Sequence, residues 1–271
     1  MLAAPQLYVP TGYLRYVAPY VALFAHRSRP TCVHPTRPKA RDGRLVNPGC
    51  RRLPFPFMSE RTRLRRLPDK GSHDRAVINE ILDEALICHF GFVRDGYPVV
   101  LPTIHARVGE ILYIHGSKAA GNLRTLKEGI EVCLTVTIVD GIVAARSLFE
   151  HSMHYRSAVL FGKGRLVDGP EERITAFRAI TERIIPGRWD DARRPSEAED
   201  RQTTIIAIKI DEASAKVSDG WPDDPDEDLD LGVWAGVIPI AVSYGQPIPD
   251  PRLDSAIGLP DYISKLVEPT D

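Results

Sequence analysis

Two short stretches concentrate the side chains that could do chemistry. The first, YIHGSKAAGNL at residues 113–123, joins an apolar strand-like run to a helix-like run through a polar turn holding His115, Ser117, Lys118, Gly121 and Asn122. A helix start leaves backbone N–H groups unpaired and carries partial positive charge, so Ser117 at that start forms a cradle for a phosphate. Lys118 adds a full charge, Asn122 an amide donor, and Gly121 room for a ligand or a second chain to approach closely. The plainer alternative has Ser117 capping a surface helix, Lys118 solvated and His115 packed beside a strand. The second stretch, FEHSMHYRSAVLFG at 149–162, brings His151, Ser152, His154, Tyr155, Arg156 and Ser157 to the entry of a long strand. So many polar groups are costly there unless water or a ligand satisfies them. Strand alternation points Tyr155 and Ser157 one way and Arg156 the other.

The elements that must hold these residues read as mainly β. SHDRAVINEILDEALI spaces Ala76, Val77, Ile78, Ile81, Leu82, Ala85 and Leu86 as a helix over about 74–86, with Ser72 or Asp74 as its N-cap. ICHFGFV and YPVVLPTIHARV flank Asp95-Gly96, a hairpin signal. After a turn at Gly109, ILYIH makes a third strand, and SKAAGNLRTLKEG a helix over 117–128 that ends at Gly129. IEVCLTVTIVDGIVAARS repeats the strand, Asp-Gly, strand pattern at Asp140-Gly141. A strand over 155–167, a helix from Pro170 to about Ile185 and a final clear strand, TTIIAIKI, follow. The acid-dense run from Asp219 to Asp230 lacks the fixed ligand offsets of a calcium loop and reads as a solvated loop. VWAGVIPIAV at 233–242 is apolar enough to dock back on the barrel or on a second subunit. About six antiparallel strands with few helices imply a small closed or nearly closed barrel.

Composition bounds the rest. The 271 residues are 43% hydrophobic, enough for one large core, and no run is long and apolar enough for a membrane helix, so the body reads as soluble with the cytoplasm as its default compartment. Cys32, Cys50, Cys88 and Cys133 lack metal or disulfide spacing, and Cys88 and Cys133 read as reduced core residues. The near-zero net charge conceals a split: residues 1–57 carry nine bases against one acid. That segment reads as a basic, Pro/Arg-rich disordered extension, of the kind translated upstream of a natural start at Met58, rather than a targeting peptide or a nucleic-acid-binding tail. The folded domain is expected over 58–253, with a tail over 254–271. No G-x-G-x-x-G after a strand, Walker lysine motif or G-x-S-x-G occurs.

The ordered set ICHFGFVRDGYPVVLPT, LYIHGSKAAGNL, VCLTVTIVDGIVAARS, HSMHYRSAVLFGKGRLV and DEASAKVSDGWPDD…VWAGVIP resembles the FMN-binding split-barrel proteins related to pyridoxamine 5′-phosphate oxidase. It is most similar to the flavin-nucleotide-binding branch that includes nitroimidazole-resistance proteins. The resemblance spans about residues 61–253 and implies a six-stranded antiparallel split β-barrel with peripheral helices. It also implies a homodimer with FMN between the subunits. Carried onto this sequence, it assigns Thr103, His115, Ser117, Lys118 and Asn122 to the phosphate and ribityl chain. Tyr155, Arg156 and Ser157 would line the cleft and Trp234 would close its edge. The expected function is an FMN-dependent oxidoreductase acting on a small molecule, with substrate or NAD(P)H as reductant and no assigned catalytic acid or base. A non-catalytic flavin binder or sensor is the alternative, as is a heme or deazaflavin split barrel with His89, His105, His115, His151 or His154 on iron. A metal site, a nucleic-acid partner and a membrane partner are not expected.

Overall fold

The structure is a computed structural model that describes residues 59–64, 67–118 and 129–267, all within the unit Leu53–Glu268. The expected extension over 1–57, the start at Met58, and the helix beyond Lys118 with Gly121 and Asn122 lie outside the described residues, as do Cys32 and Cys50.

Asp74 opens the first helix, α1 (Arg75–Glu84), by accepting a hydrogen bond from the Ala76 N–H at 2.9 Å. Its buried stripe is Ile78, Ile81 and Leu82. Ahead of it the short β1 (Gly71–Ser72) pairs with the late strand β8 (Glu212–Ser218). β2 (Ile87–Arg94) and β3 (Tyr97–Val108) turn at Asp95-Gly96, where both residues have positive φ, the two-residue hairpin geometry that suits strand twist. β4 (Ile111–Ser117) follows after Gly109, also at positive φ.

Asp140-Gly141 does not make a hairpin. β5 (Glu131–Ala144) runs straight through it, and the register against β6 (Ser152–Leu166) slips between Val139 and Gly141. A single-residue bulge is the other use of a small flexible pair in a strand. Gly141 is needed because β9 (Gly236–Pro239) pairs alongside: a Cβ there would stand 3.0 Å from the Ile238 carbonyl oxygen. α2 (Pro170–Ile184) begins, as expected, with Pro170 and two acids in its first turn. Two short helices, α3 (Arg188–Asp191) and α4 (Glu197–Gln202), then lead into β7 (Thr203–Lys209). β8, left unassigned by the sequence reading, is a full strand against β6.

β6, β7, β4, β3, β2 and β5 form a ring in that order, closed by the β5–β6 pairing. The fold is therefore mainly β, a six-stranded antiparallel split barrel, with β8 and β9 as side strands and few helices. Even-numbered residues of β2, β4 and β6 fill it: Cys88, Phe90, Leu112, Ile114, Ala158 and Leu160 join Leu134, Ile206 and the α1 stripe in one core. Burial pushes the Cys88 thiol up to about 12; Cys133, by contrast, is only half-buried. α2 covers part of the outside, sealing Ala106, Tyr113, Ile205 and Ala207 beneath Ala176 and Ile180. Its first turn is fixed by Glu172, which accepts from the Tyr113 hydroxyl at 2.9 Å and from Arg165. The last helix, α5 (Asp261–Val267), is held to α3 by Tyr262, whose hydroxyl accepts from Arg188 at 2.7 Å and donates to Asp191. Among the described residues no helix is long and apolar enough to cross a membrane.

Candidate functional site

His115 lies near the end of β4 on the outer face of the barrel, paired with Ile205 of β7. Its Nδ1 is buried with no hydrogen-bond partner among the described residues, and burial holds the ring below its ordinary pKa, so it is neutral at pH 7. A buried ring nitrogen left unpaired is an offer to a ligand. Two residues on, Ser117 ends the strand opposite Thr203 and is exposed; it is therefore a strand residue rather than the expected helix cap, and residues 119–128 lie outside the described residues. Lys118 is also exposed and borders a polar cleft of about 290 Å³ with Asp168, Arg173, Asp200, Arg201, Thr203 and Thr204.

Three cations and two carboxylates edge this cleft. Arg173 is committed: its guanidinium donates to Asp200, to the Val167 carbonyl at 3.0 Å and to the Thr203 carbonyl at 2.9 Å. Among the described residues Arg201 makes only an exposed pair with Glu197 at 3.2 Å, so it and Lys118 can turn toward an anion. Sequence reasoning missed Arg201, Thr203 and Thr204 because nothing local in EAEDRQTT says that β7 will land beside β4. It also missed Arg183 at the end of α2, whose Nε and one Nη are buried without a partner among the described residues.

Strand register locates the second cluster. Ile87 pairs with Ile104, Thr137 with Ser157, and Ser157 with Lys216. Carrying the β3–β4 register one residue further, and the β2–β5 register two, aligns His115, Ile104, Ile87, Thr137 and Ser157 in one row on the outer face. Four strand spacings of about 4.8 Å put His115 and Ser157 roughly 19 Å apart along this row. Between them Ile104 packs at the edge of the α2 cluster, Ile87 is 44% exposed and Thr137 is exposed. Tyr155 shares the face of Ser157, and both are half-buried; the Ser157 hydroxyl donates to the Lys216 carbonyl at 3.5 Å.

Two expected site residues lie elsewhere. Thr103 pairs with Cys88 and shares the inward face with the core, its hydroxyl donating weakly to the Ile104 carbonyl at 3.4 Å. Arg156 points into the barrel mouth, as the alternation required, and is held on two sides. It donates to Asp140 at 2.9 and 2.8 Å and to Glu84 at the end of α1. These carboxylates raise its pKa further and fix α1 over the mouth. Arg156→Ala is expected to lower unfolding free energy by about 2 kcal/mol, read from urea midpoints, because charged hydrogen bonds to both carboxylates vanish together. Trp234 is 65% exposed, its ring packed over Gly236, where a Cβ would come within 3.1 Å.

Most of the other histidines have a donating nitrogen fixed by a carbonyl, which can only accept. His105, fully buried, donates from Nε2 to Leu82 at 2.8 Å, and burial keeps it neutral. His154 donates from Nε2 to Gly220 at 2.8 Å. His151 donates from Nδ1 to Ser147 at 2.8 Å, leaving Nε2 as an exposed lone pair beside the exposed Leu148 and Phe149. His89 is exposed on the outer face. Among the described residues no group of three His, Cys, Asp or Glu side chains gathers as a metal site.

The fold is shared with known proteins. The pyridoxamine 5′-phosphate oxidase family profile matches residues 74–217. A protein of Mycobacterium smegmatis, named as an FAD and heme binding protein, is 40% identical, with a TM-score of 0.70. The match covers 73% of this chain and 97% of that one. The flavocytochrome Anf3 of Azotobacter vinelandii is 35% identical with a TM-score of 0.73, over 77% of this chain and 97% of its own. No curated protein matches the sequence. A profile match over more than half of its length, joined to 40% identity with a solved structure of the same fold, makes this chain a member of the pyridoxamine 5′-phosphate oxidase family.

Proposed function

We propose that the chain is a flavin-binding redox protein that holds the isoalloxazine, ribityl and phosphate moiety common to FMN and FAD on its outer sheet face. The observation that carries this reading is the buried, unpartnered Nδ1 of His115, placed between a cationic cleft and the row through Ile104 and Ile87. The residues fit the group. Lys118 and Arg201, with Ser117 at the strand end, suit the phosphate; Ile87, beside the edge of Ile104, offers an apolar floor for the ring; His115 offers one polar contact between them. When bound, the flavin supplies the hydride and electron chemistry. The protein's own work is to anchor the phosphate, fix the ring over the sheet and keep water off one of its faces. Ser157 and Tyr155 stand four strands from His115 around the ring, and in this reading they reach the flavin from a second subunit. A homodimer is therefore part of this reading, with FMN as the flavin and a small molecule or NAD(P)H as its redox partner.

Heme is the second group for which an observation speaks. The two relatives above are named as an FAD and heme binding protein and as a flavocytochrome, and His151, with Nδ1 donating to Ser147, presents an exposed Nε2 lone pair. Purified protein is expected to show flavin absorbance, with acid extraction releasing FMN, or FAD if the larger nucleotide is held. Hemin titration is expected to give a Soret band. A colourless protein that retains neither added flavin nor hemin would end this reading. Steady NAD(P)H oxidation by the loaded protein separates an enzyme from a passive binder.

A further inference from the structure

Residues 241–259 set six large apolar side chains among prolines, glycines and polar residues and leave all six exposed. Val242 and Ile248 are each 92% exposed, and Tyr244, Leu253, Ile257 and Leu259 are all about half exposed or more. The segment is nonetheless tied at both ends. At one, the Ile240 N–H donates to the Asp140 carbonyl at 3.0 Å, continuing β9; at the other, Tyr262 of α5 packs on Gly187 and bonds to α3. Between these anchors the backbone makes only local turns at Asp250–Leu253 and Asp254–Ile257 among the described residues. From Ile238 to Tyr244 every second side chain is large, apolar and exposed, the pattern of a strand whose one face awaits a cover. An extended segment gains nothing from that order unless its side chains are buried.

The same chain carries a second uncovered apolar surface. α2 shields only the β3, β4 and β7 side of the outer face. Beyond the flavin floor, the outer positions Val93, Val100, Ile142 and Met153 on β2, β3, β5 and β6 are each 43–63% exposed. Ile238 pairs with Ile142, so the segment leaves its own barrel from the rim of this patch.

We propose that residues 241–259 form a strap that crosses to a second copy of this chain and seats Val242, Tyr244 and Ile248 on that copy's open sheet face. A two-fold pair buries both straps and both faces at once, since each copy offers what the other lacks. The strap residues to be buried, Val242, Tyr244 and Ile248, are uncharged, as the core of a permanent homodimer requires; Asp250 and Arg252 pair with each other and Asp254 caps its own turn. Nineteen strap residues with the sheet positions match the 20–30 residues per side of a stable interface. The strap rests on the homodimer reading above and specifies how the pair is locked.

The test uses the full chain and a Val242→Asp/Ile248→Asp variant, whose positions are so exposed in the protomer that its fold should survive, as circular dichroism will report. Light scattering should find a dimer for the parent and at least 100-fold weaker association for the variant. Hydrogen exchange should find the amides of 241–246 protected in the parent dimer and open in the variant. A parent that is monomeric overturns the homodimer and the strap together. A parent dimer whose strap amides exchange freely, or a variant that dimerises as tightly as the parent, overturns the strap alone.

Discussion

Gly162→Ala is expected to destabilise the barrel by about 2–3 kcal/mol, the cost of forcing a methyl group into a filled space. Gly162 sits on β6 where that strand gives up β8 and takes β7 as its neighbour on the same edge: Phe161 is the last residue paired with β8, Gly164 the first paired with β7. A Cβ at 162 would stand 2.9 Å from the Lys209 carbonyl oxygen and 3.2 Å from the Ile208 Cγ2. The first is backbone in the opposing strand and cannot rotate away, so relief means pulling β7 from β6 and opening the ring where it splits. Denaturant midpoints of Gly162→Ala and of Gly220→Ala measure this, because Gly220 has nothing within 4 Å of its Cβ position and should change by under about 0.5 kcal/mol. Equal midpoints for the two variants would mean that the close approach at 162 is not a constraint.

That crossover also shows where the sequence was legible. Period-2 runs bounded by Asp95-Gly96 and Gly109 gave β2, β3 and β4, and acids behind Pro170 gave α2, because these depend on neighbours in sequence. Asp140-Gly141 misled because Asp-Gly serves a hairpin and a bulge equally, and the arbiter is β9, almost a hundred residues later. DEASAKVS gave no signal of β8 because its alternation is carried by alanines, which fill narrow space under β6 without looking apolar enough to need burial.

The site divides along the same line. Alternation alone separated Arg156 from Tyr155 and Ser157, and the structure agrees: the arginine enters the barrel mouth while the other two share the outer face. Thr103 was placed by resemblance, whereas its parity with Cys88 turns it inward. Arg201 and Thr203 were invisible because they approach Lys118 only through the β4–β7 pairing. What local sequence supplies is chemistry at a point; which points converge is decided by register between strands far apart in the chain.

Lys118→Glu combined with Arg201→Glu is expected to weaken flavin binding about 100-fold. A unit pair at about 4 Å is worth about 1 kcal/mol even in bulk water, and reversing two cations beside a dianionic phosphate replaces attraction with repulsion for each. A loss of about 2.7 kcal/mol is two decades of affinity. The fold should not change: both side chains are exposed, and the surface pair of Arg201 with Glu197 contributes little. Fluorescence quenching of FMN titrated into the apo-protein measures the effect, and lumiflavin, which has the ring without the phosphate, isolates its cause. If the phosphate lies at this cleft, the variant should lose FMN while its weak affinity for lumiflavin stays as in the parent. Equal losses for both ligands would mean that the charges act on the whole face. Unchanged FMN binding would mean that the anion is held elsewhere, and Arg183, whose Nε and one Nη are buried without a partner among the described residues, would then be the cation to reverse next.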